Sequence, residues 1–393
     1  MKILTASYIL TFDENFTILK DGCIVFDEKI IELASYDITI KKYPNIEIVS
    51  LGENSVLMPG LINSHIHLEF SANKTTLKYG SFYSWLNSVI RHREKLIDKA
   101  KTSLITQELK KLLKTGTTTI GAISSYSFDL EACLKSPINT IFFCEVIGSK
   151  ADMIDTLFTD FKARLKDAQK HNSKRFQTGI AIHSPYSVHP FLVREVLNIA
   201  KDQNLPVTSH FLESKDEKDW LNKDEKATTK PLEFLNLFKG VKNLSFTHCV
   251  EASNEDFSKI KELKATINHC VSSNRFLNNS RLNLESLGNI PFSIGTDGLS
   301  SNNSLSMFDE LRVALYTHYE RNIIKFSKTL LNAATVNGAK ALGVKKGSLI
   351  KDFDADIIGF CLPDKIEEVE DIYMQIILHT KYVDKIVIGG EFV

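Results

Sequence analysis

The segment Pro59-Gly60-Leu61-Ile62-Asn63-Ser64-His65-Ile66-His67 ends a short apolar run with two histidines two residues apart. Side chains alternate along a β-strand with a period of two, so both imidazoles leave one strand end on the same side. Such a pair can hold a single ion, and imidazole suits zinc or ferrous iron. Taken alone the spacing is weak, because solvent-facing strand positions produce it by chance. Further candidate ligands stand at the ends of later strand-like runs: His183, His210 with Glu213, His248, and Asp297 within Ile294-Gly295-Thr296-Asp297-Gly298. Together they predict a metal-dependent hydrolase. A divalent ion lowers the pKa of bound water towards about 7, Asp297 and Glu213 can move protons, and His248 can hydrogen-bond the attacking oxygen.

Residues so far apart in sequence need a scaffold that brings strand ends together. Apolar strand-like runs at 57–65, 117–123, 140–147, 177–183, 206–211, 244–248, 265–270 and 292–296 alternate with helix-like segments. Helical periodicity is clear over 81–101, 103–115, 153–171, 191–204 and 304–322. Eight such runs predict a distorted (β/α)8 TIM barrel over 57–345, a fold whose chemistry sits at the C-terminal strand ends. Residues 1–56 and 346–393 read instead as short strands and turns. They predict that the two termini meet in one small composite β-sandwich domain. The charged stretch 215–230 after the fifth run reads as a solvated insertion or a lid.

Composition narrows the partner. The 393 residues are 43% hydrophobic, and Lys+Arg and Asp+Glu balance at 48 each. That argues against nucleic acid or a membrane surface and for a small molecule. Six cysteines without a Cys-x-x-Cys pair fit reduced thiols in the cytoplasm. Cys249 and Cys270 directly follow histidines, so they are expected to be packing residues on the opposite strand face. Neither a signal peptide nor an apolar run of about 20 residues is present, and a homodimer is left open.

The ordered set Pro-Gly-Leu-Ile-Asn-x-His-x-His, His210-x-x-Glu213, Thr247-His248-Cys249 and Gly295-Thr296-Asp297-Gly298 resembles the amidohydrolase superfamily, in its deaminase and chlorohydrolase-like branch. Gly347-Ser348-Leu349-Ile350 with Asp354-Ala355-Asp356 matches the closing motif of that branch, so the resemblance spans the chain. Within the branch, Tyr79-Gly80-Ser81-Phe82 with Trp85-Leu86, Gly121-Ala122-Ile123-Ser124 and Ser273-Asn274-Arg275-Phe276-Leu277 resemble the 6-amino-6-deoxyfutalosine deaminase family, which acts in the futalosine route to menaquinone.

The resemblance implies a purine nucleoside as substrate and His65, His67, His210 and Asp297 as metal ligands. It makes Glu213, His248 and Asp297 catalytic, with Glu213 protonating a ring nitrogen. Many superfamily members hold two metals through a carboxylated lysine on strand four. Here His183 stands at that strand end, which implies one divalent ion per chain, Zn2+ or Fe2+, and a His183 that faces substrate. Glu94, after the Trp-Leu segment, is implied as a ribose contact, and Arg275 as a cationic contact for the group beyond the ribose. Val271 departs from the proline common in the branch's His-Cys-Pro-x-Ser-Asn. The rivals are a deaminase of adenosine, methylthioadenosine or S-adenosylhomocysteine, and a non-catalytic scaffold of the same fold. The His-x-Glu…Pro-Cys-x-x-Cys signature of nucleic-acid deaminases is absent.

Overall fold

The computed structural model describes residues 1–223 and 229–393. Among them are two eight-stranded sheets. One is parallel throughout, its strands adjacent in chain order: Leu61–Ile66, Thr117–Ser124, Asn139–Val146, Phe176–Ile182, Val207–Phe211, Leu244–His248, Thr266–His269 and Phe292–Ile294. Helices cover its outer face, so the strands are buried on both sides and lose the alternation of a half-exposed sheet. Thr117–Ser124 is buried at every position. The helix Thr102–Lys114 shows the matching stripe, burying Ile105, Leu109, Leu112 and Leu113.

First and last strands are stitched together by side chains. Ser64 Oγ donates to the Ile294 carbonyl at 2.9 Å, Asn63 Nδ2 to Thr296 Oγ1 at 2.7 Å, and the Asp297 N–H to the His65 carbonyl at 3.0 Å. The sheet thereby becomes a distorted (β/α)8 barrel.

Both termini share the second sheet. Ser55–Pro59 pairs parallel with Lys2–Leu10 and antiparallel with Ile357–Cys361. The run 57–65, expected as one barrel strand, is therefore two strands in two sheets. The change of sheet falls at Gly60, four residues past the expected boundary at 56. A Cβ there would lie 2.0 Å from Thr118 Oγ1, so only glycine lets the chain cross. Two further expectations differ. Tyr36–Lys42 forms a helix within the N-terminal strands. The segment 347–350 is a loop whose Leu349 N–H donates to the Thr11 carbonyl at 2.7 Å. Of the charged stretch 215–230, Lys215–Lys223 is helical and 224–228 lies outside the described residues. No described helix is long and apolar enough to cross a membrane.

A buried anion links the two sheets at the N-terminal end of the barrel. Asp356 Oδ2 accepts from Lys346 Nζ at 2.7 Å and from Asn139 Nδ2 at 2.9 Å, while Oδ1 accepts the Gly389 N–H at 2.7 Å. Both carboxylate oxygens are partnered.

Candidate active site

At the opposite end of the barrel, the first strand delivers His65 and His67 side by side. Their close approach to the last strand needs Gly295 and Gly298. A Cβ on either would stand 2.8 Å from His65 Cβ or 2.9 Å from His67 Cβ. Asp297, between them, takes a left-handed backbone with φ 57°, and His248 does the same with φ 71°. Such conformations are uncommon outside glycine and here turn both side chains into the barrel mouth.

Four side chains converge. His67 Nε2 lies 3.2 Å from His65 Nε2, 3.3 Å from His210 Nε2 and 3.4 Å from Asp297 Oδ1; His65 Nε2 is 3.8 Å from Asp297 Oδ1. Ligand atoms about 2.0–2.1 Å from a tetrahedral centre stand about 3.3 Å apart, so this spacing fits a zinc-sized cation. The remaining ring positions are braced as metal ligands require. His210 Nδ1 donates to the His183 carbonyl at 2.8 Å, which leaves the His210 Nε2 lone pair facing inward, and His65 Nδ1 meets Thr247 Oγ1 at 3.1 Å. Asp297 Oδ2 accepts from Ser273 Oγ and Ser301 Oγ, each at 2.7 Å, leaving Oδ1 towards the histidines. Burial keeps the imidazoles neutral: His65 is pushed well below the usual histidine range and His67 to about 4. Burial pushes the Asp297 carboxyl up, but the surrounding histidines, His67 foremost, outweigh it and hold it below the ordinary value. Neutral imidazoles and an ionised carboxylate are the protonation states that bind a divalent ion.

Beside this set, Glu213 Oε1 and His248 Nε2 face each other at 3.6 Å. Both atoms are buried and neither has a hydrogen-bond partner. Burial raises the Glu213 carboxyl well above the usual value, so it holds a proton. Burial lowers His248 to about 4, and its Nδ1 donates to Asn274 Oδ1 at 2.9 Å, so Nε2 presents a lone pair. One is an acid and the other an acceptor, set apart by a gap too wide for a hydrogen bond between them. His183 lines the same cavity, with Nδ1 held by Ser187 Oγ at 2.6 Å.

The cavity, about 450 Å³, brings together His67, His183, His210, Glu213, His248 and Asp297. It does not include two residues expected at the substrate. Glu94 is exposed on the helix Phe82–Lys99 and faces a neighbouring hollow. Trp85, Leu86, Val89, Ile90 and Arg93 line the cavity, and Glu94 is the next residue of the helix beyond them. Arg275 is exposed beyond Asn274, on the short helix Val271–Phe276. Arg93 and Glu145, not singled out from the sequence, do line the cavity. Glu145, the penultimate residue of the third barrel strand, is raised by burial to about 8; Ser125 Oγ donates to its Oε2 at 2.5 Å, and Oε1 has no partner. A polar residue inside an otherwise apolar strand, Phe142-Phe143-Cys144-Glu145-Val146, was the available signal for it. Cys249 and Cys270 are buried, as expected of packing residues.

A family model described as "Amidohydrolase family" matches residues 56–393. The chain is 44% identical to an aminodeoxyfutalosine deaminase of a Nitratiruptor species, over 100% of this chain and 99% of the relative. It is 33% identical to an adenosine deaminase of Helicobacter pylori, with 99% of each chain covered. Among solved structures it resembles the Helicobacter pylori aminofutalosine deaminase in complex with methylthio-coformycin. There the TM-score is 0.94, the identity 32%, and both chains are covered completely.

Proposed function

The chain belongs to the amidohydrolase family, and we propose that it deaminates 6-amino-6-deoxyfutalosine. The 6-aminopurine becomes the 6-oxo product with release of ammonia, a step of the futalosine route to menaquinone. The observation that carries the chemistry is the open pair Glu213–His248 beside the converged ligand set. The Nitratiruptor and Helicobacter relatives supply the nucleoside.

His65, His67, His210 and Asp297 would hold one divalent ion per chain, and zinc and ferrous iron both suit three imidazoles and a carboxylate. When bound, the ion makes hydroxide available at neutral pH. The chain's own groups do the rest. Neutral Glu213 gives its proton to the purine ring nitrogen next to the amine-bearing carbon, which draws electrons from that carbon. His248 Nε2 accepts a hydrogen bond from the attacking water and positions it, its ring fixed by Asn274. Asp297, with Oδ2 tied to two serines, receives the water proton on its inward side. Asp297 passes that proton to the amine, ammonia leaves, and the hydroxyl proton of the intermediate returns to Glu213 as the 6-oxo group forms. The free thiols of all six cysteines support a cytoplasmic location.

Specificity constants of metal-replete enzyme test this reading. The value of kcat/KM for aminodeoxyfutalosine should exceed that for adenosine, 5′-deoxyadenosine and S-adenosylhomocysteine. A higher value for any of these would move the enzyme to another nucleoside while leaving the deaminase chemistry intact.

A further inference from the structure

Among the described residues, the active-site cavity is lined by the carboxyl side chains Glu145, Glu213 and Asp297 around the ligand set and by a single Lys or Arg, Arg93, at its outer end. The ion-paired arginines of the described residues are Arg164, Arg281 and Arg312; Arg93 makes no such pair. Its guanidinium lies 5.9 Å from the Tyr126 ring centroid, a cation–π arrangement that places the group without using up its five donors.

Arg93 and Tyr126 also line an adjoining hollow of about 640 Å³, so the cavity continues past them. Phe128 stands on that side. Tyr126 and Phe128 are stacked at 6.0 Å between centroids, yet 39% and 57% exposed. Exposed aromatic side chains on a loop would ordinarily be mobile, but this loop is anchored. Buried Glu69 accepts three backbone N–H groups: Ser125 at 2.9 Å, Tyr126 at 3.0 Å and Phe128 at 3.2 Å. A buried carboxylate is costly unless it is hydrogen-bonded, and here it is spent on fixing the backbone beneath two solvent-facing rings. Lys101 also borders the hollow, but with Glu94 and Asp98 alongside.

We propose that Arg93 with the Tyr126–Phe128 pair forms a subsite for an aryl carboxylate at the outer end of the active-site cavity. The inference rests on the deaminase reading and specifies how the group beyond the ribose is recognised. A flat aromatic ring packs against Tyr126 and Phe128, and its carboxylate forms charge-assisted hydrogen bonds with the Arg93 fork. Arg93 holds the acid at the outer end, so the substrate enters with its amine inward. Arg93 is thus a specificity residue rather than a participant in proton transfer.

Three substrates separate the contributions: aminodeoxyfutalosine, its methyl ester, and 5′-deoxyadenosine. Wild type should favour the acid over the ester by about 10- to 100-fold in kcat/KM, the scale of one charged hydrogen-bonded contact. Arg93→Gln should abolish that preference, chiefly through KM, because the contact is made equally before and during reaction. Arg93→Lys should restore part of it, since a point charge replaces the fork. Tyr126→Ala/Phe128→Ala should weaken acid and ester together. Metal content and melting temperature of each variant report whether it is folded. An unchanged acid-to-ester ratio in folded Arg93→Gln overturns the subsite while leaving the deaminase assignment standing. A wild type that prefers 5′-deoxyadenosine to aminodeoxyfutalosine overturns the substrate assignment and the subsite with it.

Discussion

The two ends of the barrel bury polar groups in opposite ways. At the N-terminal end, Asp356 is enclosed between the sheets with both oxygens partnered by Lys346, Asn139 and Gly389. At the C-terminal end, Glu213 Oε1, His248 Nε2 and Glu145 Oε1 are equally enclosed and have no partner. A buried polar group without a hydrogen bond costs about 1–3 kcal/mol. Ionisable groups paired at one end and left open at the other mark the second set as held for a ligand. His248 and Asp297 at the mouth also take left-handed backbones. The paired cluster holds the terminal sheet to the barrel; the open one awaits substrate.

Substitutions can break this contrast from either side. The largest effect is expected at the ligand set. His210→Ala removes one of four converging atoms, and turnover should fall to background together with metal content while the circular dichroism spectrum stays near that of wild type. Two tightly bound ions per active wild-type chain, by elemental analysis, would refute the single-ion site.

Next comes the paired end. Lys346→Met strands the Asp356 carboxylate, and breaking a buried pair in this way costs about 3–5 kcal/mol. The melting temperature should drop clearly, with metal content unchanged. The same pair gives a pH signature. Burial works against the Lys346 charge, but Asp356 and Asp354 outweigh it and hold its pKa above the ordinary value of 10.5. A raised pKa contributes stability that is complete below the unfolded value and is lost as pH rises through the folded one. Wild type should therefore lose melting temperature above pH 10.5 more steeply than Lys346→Met. Parallel curves would show that the pair adds nothing.

A smaller effect is expected from Asn274→Ala. It leaves Glu213 and the ligand set in place but frees the His248 ring, and turnover should fall about 10- to 100-fold, as for other supporting partners. A loss of melting temperature without a loss of turnover would assign Asn274 to the paired kind of cluster.

Much of this architecture was legible in the sequence because local pattern and tertiary role agree. Leu244–His248 forms a strand with the expected bounds, residues 2–10 and 18–26 are strands in the expected β-rich N-terminal part, and the strand-end polar residues meet at one mouth. What escaped was set by distant contacts. The break at Gly60 depends on Thr118, far along the chain, and Pro59-Gly60 was the only local signal for it. Arg93 and Glu94 are adjacent on one helix, and only how far that helix runs along the cavity decides that Arg93 lines it and Glu94 does not. Glu69 sits two residues beyond His67 and looks like another strand-end acid, yet its partners are the amides of Ser125, Tyr126 and Phe128. Ligand sets are visible because residue type and order constrain them; the residues that shape a pocket are chosen by packing.

The central claim is that the unpartnered atoms at the mouth are the ones that handle protons. Turnover of aminodeoxyfutalosine by Glu213→Gln, with metal content measured on the same sample, tests it most directly. Glutamine keeps the shape and removes the acidic proton, so kcat should fall roughly 10²–10⁴-fold with the metal retained. Near-normal turnover in a metal-replete variant would contradict the account.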